Sequence, residues 1–143
     1  MSHQGALSWL KTASLLLIAI GIFFSWATSG PLVAVNEAFV DLVFWPFDGT
    51  QTYAAGETKL LSGIAGGLTV GLGIAIWMIA REVFATNPAS GRRIILAMML
   101  GWFTVDSIGS IIAGAWFNVV PNIAILALVC WPLVRMPAAA KAA

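Results

Sequence analysis

From Leu60 to Ala80 the chain reads LLSGIAGGLTVGLGIAIWMIA, with no charged residue and no proline. About 20 apolar residues suffice for a helix to cross the hydrocarbon core of a bilayer. Inside lipid every backbone N–H and C=O must find its partner within the segment, which makes an α-helix the natural form for such a run. Three further stretches share this character, at about residues 12–28, 94–117 and 121–134. Charged residues make up 9% of the chain, against roughly 25% in soluble domains. That is too little charge to coat a water-facing surface. The expected fold is therefore all-α: one membrane domain over residues 1–143, a polytopic bundle of four transmembrane helices. The stretch AWFNVVPN, with Asn118, Pro121 and Asn122, reads as a tight turn between the last two spans, because Pro121 disfavours helix in the residue before it. The end, PAAAKAA, reads as a frayed tail.

The first span has the look of a leader, with Lys11 ahead of an apolar core and Ser25-Trp26-Ala27 as a small-x-small step. It is read here as a retained span. Sidedness follows from Lys and Arg, which favour cytoplasmic loops. With four spans, Lys11, Arg81, Arg92, Arg93, Arg135 and Lys141 all fall at one end, and only Lys59 falls at the other. Both termini are expected in the cytoplasm of a bacterial inner membrane. Glu37, Asp41, Asp48 and Glu57 then lie outside.

The long first outer loop predicts a short interfacial helix over about residues 36–45 (EAFVDLVFW), with Asn36 as its cap and Glu37 near its positive end. Helical spacing puts Glu37 and Asp41 on a polar, solvated face, opposite Phe39, Leu42 and Val43. The set Glu37, Asp41 and Asp48 is a weak cation-site candidate that reads better as solvated surface. Trp45-Pro46-Phe47-Asp48-Gly49 turns the chain. Trp26, Phe44, Trp45, Phe47, Tyr53, Trp116 and Phe117 would form an outer aromatic belt, while Trp77 and Trp131 suit the inner interface.

Two constellations stand out. Gly63, Gly67, Gly71 and Ala75, each four residues apart, form a small-residue stripe that lets another backbone approach closely. Its partner is either a helix of the same bundle or another subunit, in a hetero-complex or a homo-oligomer. Asp106, midway along the third span in GWFTVDSIGSIIAG, is the ionisable group that lipid penalises most. Thr69 lies at a similar depth, and Ser107, Ser110 and Asn122 fall near it, so an outward-opening polar cluster of Asp106, Thr69, Ser107, Ser110 and Asn122 is expected. Its two readings are a binding site and interhelical hydrogen-bond glue. The inner halves (LLLIAI, GIAIWMIA, IILAMML, LALVCWPL) hold no titratable relay, which argues against a proton channel.

Standard chemistry is missing from the pattern. His3 is the only histidine and Cys130 the only cysteine. No Ser-His-Asp set, CxxC motif or metal-ligand spacing occurs, Met98 and Met99 read as packing, and Gly71-x-Gly73 follows no strand. No catalytic residue, metal or cofactor is expected. A net charge of +1 gives no case for nucleic acid.

The glycine-rich GIAGGLTVGLG, the DSIGSIIAG end of the third span and the Pro-Asn step into a short fourth resemble the small four-helix inner-membrane proteins around the DoxX-like families. The Phe-Trp-Pro-Phe-Asp-Gly stretch is similar to uncharacterised alphaproteobacterial proteins. The likeness covers roughly residues 40–135 and implies a four-helix bundle. It also implies, for some members, service as a subunit of a quinone-linked oxidoreductase. The expected function is that of a non-catalytic accessory or interaction subunit, in contact with lipid and other membrane subunits. The alternatives are a small-molecule binder or transporter around Asp106, and a quinone- or lipid-linked enzyme subunit.

Overall fold

The computed structural model describes residues 1–136, so the tail and Lys141 lie outside the described residues. Among the described residues there is no strand. Four helices are long and apolar enough to cross a membrane, as in a multi-pass membrane protein. We label them α1 (His3–Trp26), α3 (Gly56–Met78, continued by a π-helical turn Ile79–Phe84), α4 (Pro88–Ile112) and α5 (Val119–Arg135). A shorter helix, α2 (Val33–Val43), occupies the connection between α1 and α3.

The first span begins well before residue 12. Ser2 caps α1 by accepting a hydrogen bond from the Gly5 N–H at 3.2 Å. Lys11 is absorbed within the helix because its long stem lets the ammonium sit 5.8 Å over the Trp77 ring. The turn before α5 also differs from expectation. α4 ends at Ile112, where Gly114 takes φ +83°. The Ala115 N–H then bonds the Ser110 carbonyl, and the Gly114 N–H bonds that of Ile111. This is a Schellman closure built on a glycine. Trp116–Asn118 forms one 3-10 turn and α5 starts at Val119. Pro121 therefore sits in the first turn of a helix, where its missing N–H has no partner to lose.

α1 and α3 pack antiparallel along most of their length. The contact runs through Gly21, Gly66 and Gly73. A Cβ on Gly66 would meet the Gly21 carbonyl and Ser25, and one on Gly73 would lie 2.9 Å from the Ser14 carbonyl. Ser25 and Ser62 stitch the outer end, donating to the carbonyls of Gly63 at 3.2 Å and Phe24 at 2.7 Å. At the other end the π-helical turn packs on α4, where Gly91 lets the Phe84 backbone come close. Asn87 caps α4 through the Ser90 N–H at 3.1 Å, with Pro88 in its first turn.

α4 also packs on α5, and α5 on α1. The half of the bundle away from α2 closes as a dry core of Leu10, Leu17, Ile76, Phe84, Ile95, Met99, Val129 and Leu133, all fully buried. The N-terminus meets the end of α5 there, the Met1 ammonium donating to the Arg135 carbonyl at 3.2 Å. This also places it where a helix C-terminus favours positive charge.

Candidate functional site

α3 follows α1 and meets α4 through its π-helical turn, so the outer parts of α3 and α4 stand apart. Between them lies a cavity of about 1290 Å³. Drug-sized sites hold about 300–1,000 Å³, so the space is generous. One wall is the Gly67, Thr69, Gly71 and Ala75 side of α3, and the other is Gly101, Trp102, Val105 and Asp106 of α4. Leu17, Leu72 and Met98 line it towards the dry core.

Asp106 is half-buried on the α4 wall, and side chains from α4 and from the start of α5 converge on it. Asn122 Nδ2 donates to Asp106 Oδ1 at 2.6 Å and lies 3.3 Å from Ser107 Oγ. Asn118 Nδ2 donates to the same Oδ1 at 3.2 Å and to Ser110 Oγ at 2.9 Å. Ser110 Oγ donates to Oδ1 at 3.4 Å, one helical turn away. The three bonds to Asp106 meet on Oδ1, and Oδ2 takes none of them. Asn122 and Ser107 are buried, so the base of the cluster is fixed against α5.

Asp106, Ser107, Ser110 and Asn122 are thus brought together as the sequence suggests. Thr69 is not: it lines the cavity from α3 and bonds its own helix, donating to the Ala65 carbonyl at 2.8 Å. Asn118 joins the set instead. Its signal is the four-residue step to Asn122, one helical turn, which puts both amides on one face.

The small-residue stripe takes a different place from an internal packing seam. A Cβ built on Gly63, Gly67 or Gly71 meets nothing within 4 Å. Within this chain the close approach belongs to Gly66 and Gly73, on the neighbouring face. Gly67, Gly71 and Ala75 form a smooth wall of the cavity.

The outer mouth is roofed by the first loop. Asn36 is not a cap: α2 begins at Val33, and Asn36 is buried within it. Its Nδ2 donates to the Ala27 carbonyl at 3.1 Å and so closes the end of α1. The acidic face of α2 is likewise not solvated, Asp41 being 2% exposed. Asp41 accepts from the Gly49 N–H at 2.9 Å and the Gln51 N–H at 3.4 Å, and Glu37 accepts from the Tyr53 N–H at 2.9 Å. Tyr53 in turn donates to Ser62 at 3.0 Å. These carboxylates fold the loop back so that Gln51, Thr52 and Tyr53 line the cavity. Asp48 is exposed; its hydrogen bonds from Thr50 hold its carboxyl below the ordinary value of 3.8.

Among the described residues, no three His, Cys, Asp or Glu side chains gather to hold a metal ion. What the arrangement offers is a roomy, mostly apolar groove with one carboxylate on its wall, held there by Ser110, Asn118 and Asn122. Comparison with family models, curated proteins and solved structures gives no match.

Proposed function

We propose that this chain is a multi-pass protein of a bacterial inner membrane that binds a small amphiphilic molecule in the groove between α3 and α4, with Asp106 as the polar anchor. The observation that carries this reading is the Asp106 cluster on the wall of a 1290 Å³ cavity. A carboxylate serving only as glue between helices has no need of such a space beside it. The dry core below the groove favours binding, or transport by a moving gate, over an open channel. The collection of Arg81, Arg92, Arg93 and Arg135 at the end opposite the groove supports cytoplasmic termini and a groove in the outer half of the bilayer.

The test is extraction of small molecules that co-purify with the protein in mild detergent. Wild type should carry an amphiphile that is lost from a Gly71→Trp variant, whose new side chain fills the groove. Equal recovery from both would defeat the proposal.

The second reading, an accessory subunit, draws on the bare stripe. A small-residue face with nothing against it suits the close approach of a transmembrane helix from another subunit or a second copy of the chain. Gly67→Trp or Gly71→Trp would then dissociate a complex that wild type maintains in native mass spectrometry. A wild type that is strictly monomeric and carries no partner would end this reading.

A further inference from the structure

The charge of the ligand is open to argument from the groove's own chemistry. Among the described residues that line the cavity, Asp106 is the only acidic one and none is Lys, Arg or His. Its wall partners, Asn118, Asn122 and Ser110, are neutral, so they orient the carboxylate without adding a positive charge. Where they bond the carboxylate they bond Oδ1, which leaves the second oxygen for something else. The same cavity is lined by the rings of Phe24, Phe39, Phe44, Tyr53 and Trp102, and aromatic faces attract cations. An unpaired carboxylate at membrane depth is costly, and a positive ligand relieves that cost as a neutral or anionic one does not.

Resting on the reading of the groove as a binding site, we infer that its ligand class is a lipid-soluble organic cation, held by pairing with Asp106 and by aromatic faces on an otherwise apolar surface. A phospholipid is a poorer match. Its phosphate would enter a cavity that has no cationic side chain to receive it. A small hydrated metal ion is poorer still, because among the described residues no second carboxylate, His or Cys joins Asp106 to replace its shell of ligands.

The experiment uses the full chain in lipid nanodiscs and two probes of nearly the same size and shape but opposite charge, tetraphenylphosphonium and tetraphenylborate. Binding is read by equilibrium dialysis against empty discs. Saturable binding of tetraphenylphosphonium, with tetraphenylborate no higher than in empty discs, is the expected result. Loss of a charge-assisted contact should weaken the cation in Asp106→Asn by on the order of tenfold or more. The probe comparison on wild type stands even if that variant fails to fold. Gly71→Trp, which leaves Asp106 intact, should also remove the binding. Saturable binding of both probes with similar affinity would overturn the cation inference and leave the groove as a binding site for apolar molecules. Saturable cation binding that survives Gly71→Trp would place it elsewhere and overturn the inference too. Absence of binding by either probe would also end it, while the co-purification test still judges the groove separately.

Discussion

The indole N–H of Trp9 donates to the Leu128 carbonyl at 2.7 Å. That carbonyl is the one whose helical partner would be residue 132, and residue 132 is a proline inside α5. Pro132 removes the donor, and a side chain from the neighbouring helix supplies another, which is how a membrane bundle tolerates proline within a span.

Trp9→Phe should therefore lower stability by about 1 kcal/mol, the scale of an interhelical hydrogen bond in lipid. The effect should shrink in a Pro132→Ala background, where Leu128 regains its own helical donor. A double-mutant cycle on denaturation in detergent reads the coupling directly. Equal losses in both backgrounds would mean the indole contributes packing alone.

Neighbouring glycines of α3 should respond in opposite ways. Gly66→Ala drives a methyl group into the Gly21 backbone and Ser25, and overpacking of this kind costs about 1–3 kcal/mol. Gly67→Ala and Gly71→Ala meet nothing, and both should be neutral or slightly stabilising, since Ala is the better helix former. Thermal unfolding in detergent separates the two classes.

These glycines also show how much of the molecule was legible in the sequence. Apolar length and the placement of Lys and Arg were enough for four helices with the cationic flanks at one end. Stripe spacing identified α3 as a helix of close approaches but not which face makes them. The residues of GIAGG offer two adjacent small faces, and only the three-dimensional fit with Gly21 and Ser25 chooses Gly66. The Asp106 cluster was legible in four of its five members, because lipid makes an intramembrane carboxylate conspicuous. Asn118 stands one helical turn from Asn122, but that spacing alone does not show that its amide reaches back to Asp106 and Ser110. The acidic residues of α2 looked solvated because composition cannot reveal that backbone N–H groups of Gly49, Gln51 and Tyr53 fold back onto them.

Within the cluster, Asn122→Ala should cost more than Asn118→Ala. Asn122 is buried and makes the 2.6 Å bond to Asp106, whereas Asn118 is only half-buried. A lost hydrogen bond to a buried charged or polar partner is worth about 1–3 kcal/mol. Denaturation midpoints of the two variants give the comparison; the reverse order would contradict the assigned geometry.

Asp41→Ala should release the loop rather than the bundle. The Gly49 and Gln51 N–H groups lose their acceptor, so limited proteolysis should cut near residues 47–51 faster than in wild type, with the helices intact by circular dichroism. In the same loop, Thr50→Val should raise the Asp48 titration towards 3.8 in an NMR pH series. The sign follows from the hydrogen bonds. Because the folded value is depressed, the stabilising contribution is present above 3.8 and fades as pH falls through the folded value.

A crystal structure of the full chain grown from a lipid mesophase tests the central claim most directly. The account predicts α3 and α4 held apart above the Phe84–Gly91 contact, with non-protein density between them reaching hydrogen-bond distance, about 2.6–3.2 Å, of the Asp106 carboxylate. Gly67 and Gly71 packed against α4, with no space left beside Asp106, would contradict it.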